Sequence, residues 1–155
     1  MDYVWCTPNT STYTFFGVGT VSKPPWQWYD TRGALAQAVT NLTNYLARNS
    51  DGPLAGGQWS FAPQTTRMEV YVQDSKGKMT YGVLLSALTG LSQVAEAYIR
   101  EKKTMVFQVN DGGWGEMGIG YAGFVWEGDR GGCVYDLVEG ADMSCEDVKR
   151  GLVIK

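Results

Sequence analysis

Histidine is absent from the 155 residues. That gap excludes a Ser-His-Asp triad, a Cys-His dyad and an imidazole-ligated zinc. Cysteine is scarce, with Cys6, Cys133 and Cys145 only. Their spacing matches no zinc pattern and supplies no fourth ligand, so neither a metal nor a cofactor is read from them. Charge is sparse as well. Charged residues make up 19% of the chain, and thirteen basic against sixteen acidic residues leave a net charge of -3. The densest basic segment, Arg100–Lys103 (REKK), reads as the solvated end of a helix. Such a chain carries no electrostatic footprint for nucleic acid or for an anionic membrane. No run of about 18 apolar residues marks a transmembrane span. The start, MDYVWCTPNT, has neither the basic stretch nor the apolar core of a signal peptide. The expectation is a cytoplasmic chain, or a mature extracellular one with an added initiator Met.

Hydrophobic residues make up 44% of the chain, enough for a sizeable core, and no linker or repeat divides it. One domain over 1–155 is expected, loosely specified from about 127. Cys133 and Cys145 stand close together in a Gly-rich, polar region, where a disulfide between them would leave Cys6 odd. Three reduced thiols are the alternative. Two sequons, Asn9-Thr10-Ser11 and Asn41-Leu42-Thr43, are glycosylation candidates and, with the cysteine pair, tilt the expectation toward secretion.

The start is irregular up to Thr12–Gly19 (TYTFFGVG), which reads as a strand. Asp30 or Thr31 caps a helix with an apolar stripe at Leu35, Ala38, Val39, Leu42, Tyr45 and Leu46, ending near Arg48. Gln58–Ala62 and the alternating segment around Met68, Val70 and Val72 read as two strands that Pro63–Thr66 could join as a hairpin. Thr80 caps a second helix whose stripe is Leu84, Ala87, Leu88, Leu91, Val94, Ala95 and Tyr98. Its interior Gly90 costs about 1 kcal/mol relative to Ala, which is explained if the helix lies close against the sheet. Thr104–Asn110 and Ile119–Trp126 are further strands, with Val134–Val138 as a short one and a Ser144-capped turn beyond. The order predicts an α+β two-layer sandwich: a mostly antiparallel sheet of four to five strands with both helices on one face. It also allows the split β-α-β arrangement of ferredoxin-like folds.

Nine glycines fall within Asp111–Gly132, and GWGEMG fits G-x-G-x-x-G. A dinucleotide loop opens a helix at that point. Here Ile-Gly-Tyr-Ala-Gly-Phe-Val-Trp follows, which is strand material. The stretch therefore reads as a β-hairpin turning at Asp111-Gly112-Gly113, where glycine can adopt positive φ. Gly118, Gly120 and Ala122 then share one thin strand face that another element or a partner can approach closely. Trp114 and Trp126 flank it, while Trp26, Trp28 and Trp59 fall in loops or at strand starts. They form either an aromatic contact surface or satellite core over the sheet edges. Two pairs of carboxylates, Asp111 with Glu116 and Glu127 with Asp129, could in principle face each other, but solvated turn residues are the plainer reading.

Met79–Leu91 (MTYGVLLSALTGL), Phe107–Gly120 (FQVNDGGWGEMGIG) and the N-terminal P-N-T-S-T-Y segment together resemble small, uncharacterised secreted proteins of filamentous fungi. The resemblance covers roughly residues 7–126 and leaves the cysteine-bearing tail outside. It implies extracellular release and an effector-like or defence-related role, and it carries over no catalytic residue. The expectation is a secreted, non-enzymatic binding protein that meets a protein or glycan partner at a Trp/Gly-rich surface, with Trp114, Trp126, Asp111 and Glu116 as contact residues. The alternative is a small enzyme or carrier for a hydrophobic molecule, with Asp111 or Glu116 as acid/base in a pocket between helices and sheet. A third reading is an intracellular interaction module with reduced cysteines.

Overall fold

The computed structural model describes residues 2–20, 30–64, 68–98 and 103–124. Along them run β1 (Asp2–Cys6), β2 (Thr12–Thr20), α1 (Thr31–Leu46), β3 (Gln58–Phe61), β4 (Met68–Asp74), α2 (Tyr81–Tyr98), β5 (Lys103–Asp111) and β6 (Gly115–Phe124). The strands form one sheet in the order β1-β2-β5-β6-β4-β3, every pairing antiparallel. This is the expected α+β class, with β3 and β4 paired as anticipated and six strands where four or five were expected. The additional strand is β1. Its run of Tyr-Val-Trp-Cys is apolar in both phases, so the period-two contrast that marks a half-buried strand is missing.

The ferredoxin-like order is not formed. It would seat β2 beside β4, but β5 and β6 lie between them. The cause is local: the tight turn after Asp111 keeps β6 against β5, and the other edge of β6 then pairs with β4.

Alternation places Thr14 and Phe16 of β2, Val70 and Val72 of β4, and Met105, Phe107 and Val109 of β5 on one face, all buried. The two helices cover that face, packed side by side, with α2 over β1 and β2 and α1 over β4 and β6. Leu35, Ala38 and Leu42 of α1 and Leu84, Leu88, Leu91 and Ala95 of α2 are fully buried there. Tyr45 departs from its predicted stripe: it is 38% exposed and its ring lies 4.4 Å from that of Tyr81. Among the described helices none is long and apolar enough to cross a membrane.

The helix ends follow side-chain chemistry. The Gly33 N–H donates to the Asp30 carboxylate at 2.8 Å, which caps α1. The Val83 N–H donates to Thr80 Oγ1 at 3.2 Å, as the sequence predicts. The loop before β3 adds a second cap to α2, since Asp51 accepts from the Gly82 N–H at 2.9 Å and from the Thr80 hydroxyl at 3.1 Å. Gly90 does allow a close approach. A Cβ there would stand 2.6 Å from Trp5 Cδ1 and 2.8 Å from Thr7 Oγ1. The Thr7 hydroxyl in turn donates to the Ser86 carbonyl at 2.8 Å, fastening α2 to the β1–β2 turn.

The thin face of β6 is occupied from within. A Cβ on Gly118 would meet the Gln73 carbonyl oxygen at 2.3 Å and Met79 Cε at 2.6 Å, and one on Gly120 would meet the Tyr71 carbonyl oxygen at 2.3 Å and Phe107 Cζ at 2.7 Å. The space that the sequence offered to a partner is filled by core side chains and by the neighbouring strand.

Candidate functional site

Antiparallel register brings three connections to one end of the sheet: the β1–β2 turn, the β5–β6 turn and the β4–α2 loop. Asp111 holds the first two together. Its carboxylate accepts the Ser11 hydroxyl across the two turns and the Gly113 N–H at 2.9 Å. The Gly112 N–H donates to the Ser11 carbonyl at 2.9 Å. The Trp114 N–H then closes on the Asp111 carbonyl at 3.1 Å. Gly115 follows with φ of 71° and pairs with Asp111. The positive φ thus falls at Gly115 and not within Asp111-Gly112-Gly113. A three-residue connection needs its left-handed residue after the turn, to bring the chain back into register.

This geometry projects Trp114 outward, 63% exposed. Lys78 Nζ sits 4.1 Å from the centre of its indole ring, a cation–π contact. Lys78 is placed by Asp74, whose carboxylate accepts the N–H groups of Lys76 at 2.9 Å, Gly77 at 2.8 Å and Met79 at 2.9 Å. Glu116, half-buried, lies 3.4 Å from the Ser75 hydroxyl, while the Ser75 N–H donates to the Met117 carbonyl at 3.0 Å.

Partial burial is the largest single influence on Asp74 and raises its carboxyl. The N–H groups of Lys76, Met79, Lys78 and Gly77 together outweigh it and hold the group below its ordinary value. A depressed folded value contributes stability that is present above the unfolded value of about 3.9 and is lost as pH falls through the folded one. Asp74→Asn should therefore be less stable than the parent at neutral pH, and the gap should close below about pH 4. Urea unfolding of both proteins from pH 7 to pH 2.5 measures this, and a gap that persists undiminished in acid would remove the carboxylate from the loop's stability.

Of the expected contact residues, Trp114, Asp111 and Glu116 come together at this end, while Trp126 lies outside the described residues. Phe124, two positions before it, ends β6 at the far end of the sheet from Trp114, roughly 30 Å along a strand of this length. Asp111, 9% exposed, serves the turn through its bonds to Ser11 and Gly113. Trp5 and Trp59 pack against the core, and Trp59 stacks on Phe61 with ring centres 6.2 Å apart. For Trp59 satellite core is the correct reading, and Trp5, in β1, packs in the same way. Trp26, Trp28, Cys133, Cys145, Glu127, Asp129, the Val134–Val138 strand and the Ser144 turn lie outside the described residues. Asn9 is exposed in the β1–β2 turn with φ of 60°, and Asn41 is exposed on α1.

The sequence reading missed Lys78 as the partner of Trp114 and Ser11 as the partner of Asp111. Both approach from other turns, across separations that no local pattern carries. Comparison with family models, curated protein sequences and solved structures finds no match.

Proposed function

We propose that this chain is a non-enzymatic binding protein that acts outside the cell and engages a protein or glycan partner through the Trp114 end of its sheet. The observation that carries the proposal is Trp114 itself, an indole 63% exposed on a turn held rigid by four hydrogen bonds. Leaving so large an apolar group in water forgoes about 1.5–3 kcal/mol of burial, and tryptophan held at a fixed position is the residue type most enriched at binding hot spots. The ammonium of Lys78 beside the ring adds a charged donor to the same surface. Asp111 supports a binding role over an enzymatic one, because its carboxylate is engaged in the turn and is not presented as an acid or base. The exposure of Asn9 and Asn41 supports extracellular release. An effector-like role, implied by the likeness to small secreted fungal proteins, belongs to the same proposal.

The test is a binding screen against extracellular proteins and a glycan array, run with the parent, Trp114→Ala and Trp126→Ala. Trp114→Ala should weaken the partner interaction at least about tenfold, near 1.4 kcal/mol, with thermal stability unchanged. Unaltered binding in Trp114→Ala would end the assignment, whatever Trp126→Ala does.

A further inference from the structure

Around Trp114 the apolar surface stops at one ring. Among the described residues the large hydrophobic side chains that stand exposed are Tyr45, Trp114 and Ile119, and each belongs to a different element. Ile119 is five residues farther along the chain, in β6, roughly 16 Å away. Tyr45 is on α1, stacked on Tyr81. The indole itself is flanked by Gly113 and Gly115, and the loop beside it contributes Ser75, Lys76, Gly77 and Lys78, all exposed. A protein interface is built on a contiguous apolar core with a polar rim. A single indole plate among glycines and polar side chains is not such a core. It is the size of the patch of C–H groups that a pyranose ring offers, edged by hydroxyls.

We propose that the ligand of this end is a neutral glycan, one pyranose ring of which stacks on Trp114 while Lys78 and Glu116 hold its hydroxyls. The inference rests on the reading of the Trp114 end as the binding surface. Lys78 Nζ lies 4.1 Å from the ring centre and covers one face of the indole. With 63% of the residue still in water, the opposite face is the open one. The electron-rich surface of that face attracts the weakly positive C–H groups of a sugar. Two contacts join the same pair of loops: Lys78 on Trp114, and the Ser75 hydroxyl 3.4 Å from the Glu116 carboxylate. They set a group that only donates and a group that only accepts beside the plate. A sugar hydroxyl does both, so neighbouring hydroxyls give to Glu116 and take from Lys78. Sign decides between sugar classes. Lys76 and Lys78 are offset by Asp74 and Glu116, so an acidic or sulfated sugar finds no excess of cations to meet. Because Asp111 fixes the turn, stacking does not first require a loop to be ordered.

The test is saturation-transfer NMR of the full chain with cellohexaose, chitohexaose, laminarihexaose, xylohexaose and mannohexaose, and with trigalacturonate as the acidic comparison. The indole N–H signal of Trp114 is followed in the same titrations. An open plate holds one ring weakly, so binding in the millimolar range is expected. At least one neutral hexasaccharide should receive saturation and shift the Trp114 indole signal. Trp114→Ala should abolish the transfer, and Trp114→Phe should restore part of it. Lys78→Met and Glu116→Gln should each weaken binding about three- to tenfold, the worth of one hydrogen bond, with the thermal midpoint unchanged. No transfer to any neutral sugar, or tighter binding of trigalacturonate, overturns the proposal. A protein partner that binds the parent and not Trp114→Ala, with every sugar inert, overturns the glycan and leaves the surface assignment standing. Sugar binding that survives Trp114→Ala overturns both.

Discussion

Gly120→Ala is expected to destabilise the fold by about 3 kcal/mol, at the upper end for overpacking a well-filled core, and to lower the midpoint of thermal unfolding by roughly 6–12 °C for a chain of this size. The added methyl would stand 2.3 Å from the Tyr71 carbonyl oxygen and 2.7 and 2.8 Å from Phe107 Cζ and Cε2. The first contact is with backbone, so it is relieved only if β4 moves away from β6, and that loosens the pairing that runs from Met68–Phe124 to Asp74–Gly118. The second is with a ring that is fully buried and has nowhere to swing. Gly112→Ala is the control. A methyl there would lie 3.5 Å from the Ser11 carbonyl oxygen, an ordinary contact, and its backbone is not left-handed. The control should remain within about 0.5 kcal/mol of the parent. Equal midpoints for the two variants would show that the glycines of β6 do not set the spacing of the sheet.

How much of this was legible beforehand depended on whether a signal was local. The stripes Leu35-Ala38-Leu42 and Leu84-Leu88-Leu91 face the core as their spacing requires, and Asp30 and Thr80 cap where their chemistry says they should. Alternation in Met68-Val70-Val72 and Met105-Phe107-Val109 fixed which side of each strand is buried. Strand order was not legible, because it depends on which edges meet, and those contacts join residues as far apart as Tyr13 and Asn110. The strand β1 was hidden by being apolar in both phases. At the site, Trp114 and the turn could be located from Asp-Gly-Gly, but the placement of Lys78 could not. It depends on Asp74 gathering three N–H groups in a loop that only the β4–β6 pairing carries to the same end. The glycines of β6 carried an ambiguous signal. Absent side chains can admit a partner or a neighbour equally well, and only the position of Phe107 decides which.

Phe107→Ala should be the most damaging single substitution among these, at about 3–5 kcal/mol, a large part of the 5–15 kcal/mol that holds a typical domain together. The side chain is fully buried in the central strand pair, opposite Gly120 on β6 and Phe16 on β2. Its removal takes a ring out of the notch that glycine makes, and the paired backbones on both sides cannot collapse into the void. The notch also predicts how the two sites combine. Phe107→Leu leaves room where the ring edge had been, so a methyl at position 120 meets less resistance in that background. Adding Gly120→Ala to Phe107→Leu should therefore cost about 1 kcal/mol less than adding it to the parent, within the usual range for residues in contact. It should not become free, because the Tyr71 carbonyl stays where it was. Urea unfolding of the four proteins completes the cycle. Strict additivity would mean that Phe107 and Gly120 do not share that space, and the case for glycine on β6 would then rest on the Tyr71 carbonyl alone.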